Sequence, residues 1–578
     1  MMFNFKKLSK AQIIALSCIC VSFLSACSSP TAQESTSVGG NSNTLRLLYW
    51  QAPTILNPHL AQGNKDFEGS RVTYEPLATY NKDGKLILFL AAEIPTVENG
   101  GIAKDGTSVT WKLKQGIKWS DGQSFTAQDV VFTYKFLSNP AVGATSTAYY
   151  EAVKNVEAVD DYTVKINFKN INPAWSLPFV GENGMILPRH IFEKYNGSNA
   201  REAPGNLLPV GTGPYRVVQF KPGDIIIYEP NPVFREANQP LFKRVELKGG
   251  GDATSAARAV LQTQNADFAW NLQVEAPILK QLETAGQGTL QTSFGAEVER
   301  ILINQTDPNQ ATQEGERSSL KYRHPFFSDR KVRQAFSYAI DRDTIAKQLY
   351  GAIGRPAVNL LVAPDIYNSP NTKYEFNLQK AAALLDEAGW KDTNGNGIRD
   401  KNGKEMSVLF QTSVNPLRQK TQEIVKQALT SLGVRVELKS IDPSIFFSAD
   451  PANPDTTLHF YADMQMFTTG NNSPDPGAYM KSWTCDEIPQ KKNNWSRQNT
   501  SRYCNPQYDA LWKQSATELN PQKRRQLFIQ MNDLLIKDGA VIPLIVRANV
   551  VGVNNRLVGV DTTPWDADTW NIKDWRRK

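Results

Sequence analysis

Four histidines, His59, His190, His324 and His459, and five cysteines are the residues of this 578-residue chain whose types suit acid-base, nucleophilic or metal chemistry. Their spacing supports little of it. The histidines are scattered, and each reads as a satisfied structural residue and not a metal ligand. No Gly-x-Ser-x-Gly elbow, His-Glu-x-x-His pair, Gly-Lys-Ser/Thr phosphate loop or dinucleotide fingerprint occurs, so the chain is expected to be no enzyme and to carry no cofactor. One stretch is metal-like. Asp392, Asn394, Asn396 and Asp400 stand at positions 1, 3, 5 and 9 of a loop with Gly397 at position 6, which places oxygen side chains as calcium requires. Position 12, where a bidentate glutamate closes such a loop, is Gly403. The alternative is a Gly/Asn turn between a helix ending near Gly389 and a strand near Ser407.

The cysteines divide by position. Lys6, Lys7 and Lys10 precede an apolar run from Ala11 to Leu24, which contains Cys18 and Cys20 and stops at Leu24-Ser25-Ala26-Cys27. That run is short for a membrane span, and small residues before a cysteine suit lipoprotein processing. Residues 1–26 are therefore expected to be an export signal and Cys27 the acylated first residue; a plain secretory signal is the alternative. Residues 27–44 hold almost nothing that could be buried and read as a flexible tether. Cys485 and Cys504 remain, in an exported domain, either as one disulfide or as two free thiols.

After Cys27 no apolar run approaches the ~20 residues of a span, so the lipid would be the only anchor. Forty percent hydrophobic and 21% charged residues are ordinary for a globular chain. A net charge of +7 with interleaved signs leaves a nucleic-acid partner without support. The length suggests about two to four domains at roughly 100–200 residues each.

Strands and helices alternate irregularly, as in mixed α/β domains. Val109, Trp111 and Leu113 share one strand face, as do Tyr162, Val164, Ile166 and Phe168. Thr126 with Asp129 predicts a capped helix start. Val332, Ala335, Phe336, Ala339 and Ile340 mark a helix opening after Ser328. Another carries Leu384, Leu385 and Ala388 and ends at Gly389. Ile424, Val425, Ala428, Leu429 and Leu432 mark a third, which closes at Gly433 and leads into the strand Val434 to Leu438. Asn520-Pro521 starts a last long helix that feeds the strand Val541 to Ile545.

Several motifs follow one another in order: Tyr74-Glu75-Pro76-Leu77; Trp111 to Gly122 with Phe125 to Val130; Gly211-Thr212-Gly213-Pro214-Tyr215; and Pro325 to Ala335 with Ala339-Ile340-Asp341-Arg342. Together they resemble the family 5 extracellular solute-binding proteins of ABC transporters, the oligopeptide- and dipeptide-binding proteins, from about Leu45 to Trp575. The resemblance implies an α/β, two-lobed clamp of the periplasmic-binding-protein type with an extra domain. Domain I would comprise 45–75, 205–298 and 545–578, domain II the insertion 76–204, and domain III 299–544. Chain crossings near 299 and 545 would form the hinge. The implied role is a monomeric, lipid-anchored receptor at the periplasmic face of the cell envelope. It would capture peptides between its lobes and deliver them to an ABC permease with separate ATPase subunits. A non-peptide solute (sugar derivative, opine or metal chelate), or a transport-independent sensor on the same fold, is the alternative.

Peptide receptors of this family bind the ligand backbone as an added strand. The matching edges are Gln62, Gly63 and Asn64, and the stretch Met464 to Asn472 with Phe467, Thr469 and Gly470. In the family an aspartate of the second segment pairs with the ligand's α-ammonium. Here Asn471 or Asn472 stands in its place, and an amide does not neutralise an ammonium. Either Asp475 or Asp463 substitutes by a register shift, or the ligand lacks a free amino terminus. Trp50, Tyr149 or Tyr150, and Trp483 are candidate aromatic walls.

Overall fold

A computed structural model of the protein describes residues 43–578. The expected signal, Cys27 and nearly all of the tether lie outside the described residues.

One 11-stranded sheet runs through the molecule. In spatial order its strands are Arg435–Ile441, Ser407–Ser413, Met464–Thr469, Gly288–Ile303, Val541–Asn554, Phe268–Ala269, Thr44–Tyr49, Arg244–Gly249, Ile225–Pro230 and Tyr215–Lys221, and Gly354–Pro356 pairs beside Val541–Asn554. Two of these are unusually long: Gly288–Ile303 has 16 residues and Val541–Asn554 has 14. They pair antiparallel and cross together from one lobe to the other, with register irregularities between Phe294 and Val298 and between Glu299 and Arg300. Position 299 pairs with position 545 inside this crossing. The strand expected at Val541 to Ile545 is thus the first third of a much longer one, because the same chain serves both lobes.

Apolar side chains gather in separate cores. One packs Trp111, Val130 and Phe136, from the sheet Ser108–Lys112, Thr163–Phe168, Val153–Asp160 and its helix Ala127–Ser138, with Trp119 and Phe125 of the connection between them. Others lie on either side of the crossing strands: Leu45, Leu47, Tyr228 and Trp575 in one lobe, and Phe327, Val332, Leu385, Val425 and Leu429 in the other.

The expected elements form for the expected reasons. Thr126 and Asp129 make a reciprocal capping box on Ala127–Ser138. Asp329, Asn415 and Asn520 cap Arg330–Tyr338, Pro416–Ser431 and Pro521–Lys537.

The ordered motifs hold one another. Arg235 makes a bidentate pair with Glu75 at 2.6 and 2.8 Å, and the Thr212 hydroxyl donates to the same carboxylate. Ser120 N donates to the Gly211 carbonyl at 2.9 Å. A Cβ at Gly211 would overlap the Thr73 carbonyl, which is why glycine stands there.

Cys485 and Cys504 are joined as a disulfide. In the calcium-like loop the side chains are turned onto their own backbone. Asp392 accepts from Gly395 N and Gly397 N, Asn394 from Asn396 N, Asn396 from Ile398 N, and Asp400 from Thr393. These are the bonds of a hydrogen-bonded turn.

Candidate functional site

The cleft between the lobes is floored by the crossing strands. Arg300, on Gly288–Ile303, sits opposite Phe467 of the antiparallel strand Met464–Thr469. That second strand is interior to the sheet over Met464 to Met466, where Phe410 to Thr412 flank it. Beyond Met466 it outruns this neighbour, so Phe467, Thr468 and Thr469 are paired on one side only among the described residues. Gly470 then turns tightly, and a Cβ there would overlap the Ala296 carbonyl.

Across from this open edge the chain enters the helix Asn64–Arg71 through Gln62 and Gly63. The cavity between them is about 180 Å³. Gln62, Gly63, Asn64, Phe467, Thr469, Gly470 and Asn472 all line it, as expected from the sequence. Tyr149 and Trp483 also do.

Four sequence-derived candidates do not line it. Asp475 is held by Arg524 in a bidentate pair and caps Gly477 N, so it is spent on the scaffold. Asp463 accepts from His324 Nε2 at 2.9 Å and from Leu409 N. Asn471 donates to the Ser473 carbonyl inside its own turn. Tyr150 is buried, donating to the Asn183 carbonyl at 3.1 Å and accepting from Phe179 N. Neither aspartate therefore takes the place of the missing anchor by a register shift. Trp50, the further aromatic candidate, donates to the Asn271 carbonyl from within a core.

The site's charges come from residues the sequence reading missed. Arg418 is fully buried and pairs with Glu299 at 3.0 Å. Thr468 donates to Glu299, and Arg547 Nε donates to Thr468 Oγ1 at 3.0 Å. Arg547 also lies 3.5 Å from Glu297. Arg300 differs from both: it donates to the Thr469 carbonyl at 2.9 Å and to the Tyr479 hydroxyl at 3.1 Å, but no carboxylate pairs with it among the described residues. It lies over the rings of Phe467 and Trp483 and is only 5% exposed. Burial lowers its pKa from the usual guanidinium range. The signal for these residues was the triplet Glu297, Glu299, Arg300 leading into the apolar run Ile301-Leu302-Ile303, charges on a strand otherwise built for burial.

Polar atoms of four buried lining residues have no partner: Arg300 Nε, Gln273 Oε1, Thr457 Oγ1 and Trp483 Nε1. Each such atom costs about 1–3 kcal/mol if left unpaired, so the cavity wall calls for water or a bound polar molecule. A smaller cavity of about 70 Å³ adjoins it, sharing Asn64, Trp270, Asn271, Glu297, Asn472 and Arg547. This inner end is acidic, with Glu68, Glu182, Glu297, Asp566 and Asp568 in its wall. Burial, reinforced by Asp566, pushes the Glu182 carboxyl up to about 8. Burial likewise raises Asp568 to about 6 and lifts Glu68 well above the carboxylate range.

Residues 90–489 match the family model described as bacterial extracellular solute-binding proteins, family 5 Middle. The oligopeptide-binding protein AppA of Bacillus subtilis (strain 168) is 26% identical over 575 residues, covering 96% of each chain. Its solved structure in complex with a nonapeptide superposes with a TM-score of 0.79 at 26% identity, covering 93% of this chain and 99% of that one. NikZ from Campylobacter jejuni, solved in complex with Ni(L-His), superposes with a TM-score of 0.77 at 23% identity, covering 93% of this chain and 100% of that one, and speaks for the fold.

Proposed function

This chain belongs to the bacterial extracellular solute-binding proteins of family 5, and on that premise we propose that it is the peptide receptor of an ABC importer, closing its two lobes on a short peptide. The observation that carries the peptide reading is the one-sided pairing of Phe467, Thr468 and Thr469 at the wall of the cavity. An open strand edge beside a polar chamber suits an extended backbone, which binds as one more strand whatever its side chains. Aromatic walls from Phe67, Tyr149, Trp270, Phe447 and Trp483 suit varied side chains. AppA, bound to a nonapeptide, supports the same ligand class.

The separate apolar cores support the division into 45–75 with 205–298 and 545–578, the insertion 76–204, and 299–544. The paired crossing at Glu299 and Ile545 is our hinge. Closure is then a population shift that ligand drives by touching both lobes. The sequence around Cys27 supports lipid anchoring in the cell envelope, with delivery to a permease on separate chains.

Native mass spectrometry of the domain from residue 45 onward, purified gently from its own host, tests this reading. The expected result is a ladder of captured masses that fragment as short peptides. A single non-peptide mass would overturn the ligand class.

A further inference from the structure

Of the five carboxylates around the inner cavity, four have either an arginine within 3.5 Å or a hydrogen bond to each oxygen. Asp566 takes Arg71 at 3.2 Å and the Thr79 hydroxyl at 2.7 Å. Glu68 accepts from the Tyr49 hydroxyl and from Asp568 N. Asp568 accepts both of its bonds from the Asn549 amide, and Glu297, which accepts no hydrogen bond among the described residues, lies 3.5 Å from Arg547. Glu182 is the exception. It is 6% exposed, and one oxygen accepts from the Asn472 amide at 2.5 Å. Its other oxygen, Oε2, makes no hydrogen bond among the described residues, and no lysine or arginine pairs with either oxygen.

A carboxylate in that position has one missing component. It is removed from water and faces Asp566, Glu297 and Asp568, so its ionised form requires a cation that the protein itself does not bring. Asn472 cannot supply the charge. It does orient the carboxylate, and by donating its amide it leaves its own carbonyl oxygen as a second acceptor.

The geometry points to Glu182, oriented by Asn472, as the anchor for the ligand's positively charged end, a primary ammonium. The inference rests on the chamber being the ligand site and deepens that reading by naming the group recognised. An ammonium fits better than a guanidinium because the inner cavity is small, about 70 Å³, and its acceptors are separate atoms and not one planar pair. No group of three or more His, Cys, Asp or Glu side chains among the described residues is arranged to hold a metal ion. The two cavities share six wall residues, so one molecule extends from the outer into the inner. In the outer cavity Arg300, buried without a carboxylate, is complementary to an anionic group. The chamber is polarised for a molecule with an ammonium at one end and an anionic group further along.

The test uses the mature chain, its Glu182→Gln and Glu182→Asp variants, and two matched probes: a mixed-sequence library of hexapeptides with free amino termini, and the same library N-acetylated. Retention is read by native mass spectrometry, with thermal melting to confirm that each variant is folded. We expect wild type to favour the free library on the order of a hundredfold, Glu182→Gln to lose that preference, and Glu182→Asp to restore part of it. A Glu182→Gln variant that discriminates as wild type does, or a wild type that does not discriminate, overturns the anchor and leaves the peptide reading standing. Retention of neither library overturns the peptide reading, and the ligand captured from the host then decides the anchor. A captured molecule that gains mass on reductive methylation of a primary amine and is not retained by Glu182→Gln supports it; one without a primary amine overturns it.

Discussion

The Asn472 side chain donates to the Glu182 carboxylate across 290 residues of sequence, joining the turn after the strand Met464–Thr469 to the segment around Glu182. With Glu182 protonated the bond is a neutral one, contributing about 0.5–1.5 kcal/mol, and it strengthens to about 1.5–3 kcal/mol when the carboxyl ionises. It also places an acidic group where Asn471 and Asn472 alone offered only amides.

With Glu182 as the proposed anchor, ligand binding should depend on pH. Its carboxyl is pushed up to about 8 by burial and by Asp566, Glu297 and Asp568, with the Asn472 bond opposing, so it is largely protonated at pH 7 in the free protein. A bound cation favours the carboxylate, so binding releases a proton and affinity for an ammonium-bearing ligand rises from pH 6 to pH 7. Calorimetry in buffers of different ionisation enthalpy should read close to one proton released, and none in Glu182→Gln.

Arg300 should govern recognition of the anionic end. Replacing it by glutamine removes the charge while keeping a donor. Affinity should fall about 10- to 100-fold for peptides with a free carboxylate and much less for their C-terminal amides. Equal losses for both forms in a titration series would remove Arg300 from that role.

His59 sets an acid limit on stability. It is fully buried, its Nε2 bonded to the Met185 carbonyl and its Nδ1 to Ser146 Oγ, and burial lowers its pKa from 6.5 to about 4. A depressed folded pKa means that the unfolded chain binds the proton first. Stability is therefore complete above 6.5 and is lost as pH falls from 6.5 toward 4, by about 3 kcal/mol. Urea midpoints between pH 7 and 4 should trace that loss, and the slope should flatten in His59→Phe.

The Cys485–Cys504 disulfide should matter to binding as well as to stability. Gln498 and Thr500, which line the cavity, lie inside the loop it closes. Changing both cysteines to serine should cost about 3 kcal/mol on the chain-entropy account and weaken ligand binding. Denaturation and titration on the same variant would separate the two effects.

Cys27→Ala should move the protein from the membrane fraction to the soluble one without changing ligand binding by the domain beyond residue 43. A diacylated terminus contributes roughly 0.8 kcal/mol per buried CH₂, and fractionation of the host's membranes reads its loss.

Local chemistry determined much of this protein from its sequence alone. The helix starts at Thr126, after Ser328 and at Asn520, the helix ends at Gly389 and Gly433, and the alternation around Val109 and Val164 are signals of neighbouring residues, and helices and strands formed there. The ordered motifs hold one another in the fold, the Thr212 hydroxyl donating to the Glu75 carboxylate and Ser120 N to the Gly211 carbonyl. Gln62 to Asn64 and Phe467 to Gly470, named through the family resemblance, line the cavity. Electrostatics was not legible. Asp475 and Asp463 looked free in the chain and are paired with Arg524 and His324, whereas Glu182 and Arg300 looked ordinary and are buried without a counter-ion among the described residues. Whether a charge is satisfied depends on residues 49 to 290 positions away, and only tertiary folding brings those together.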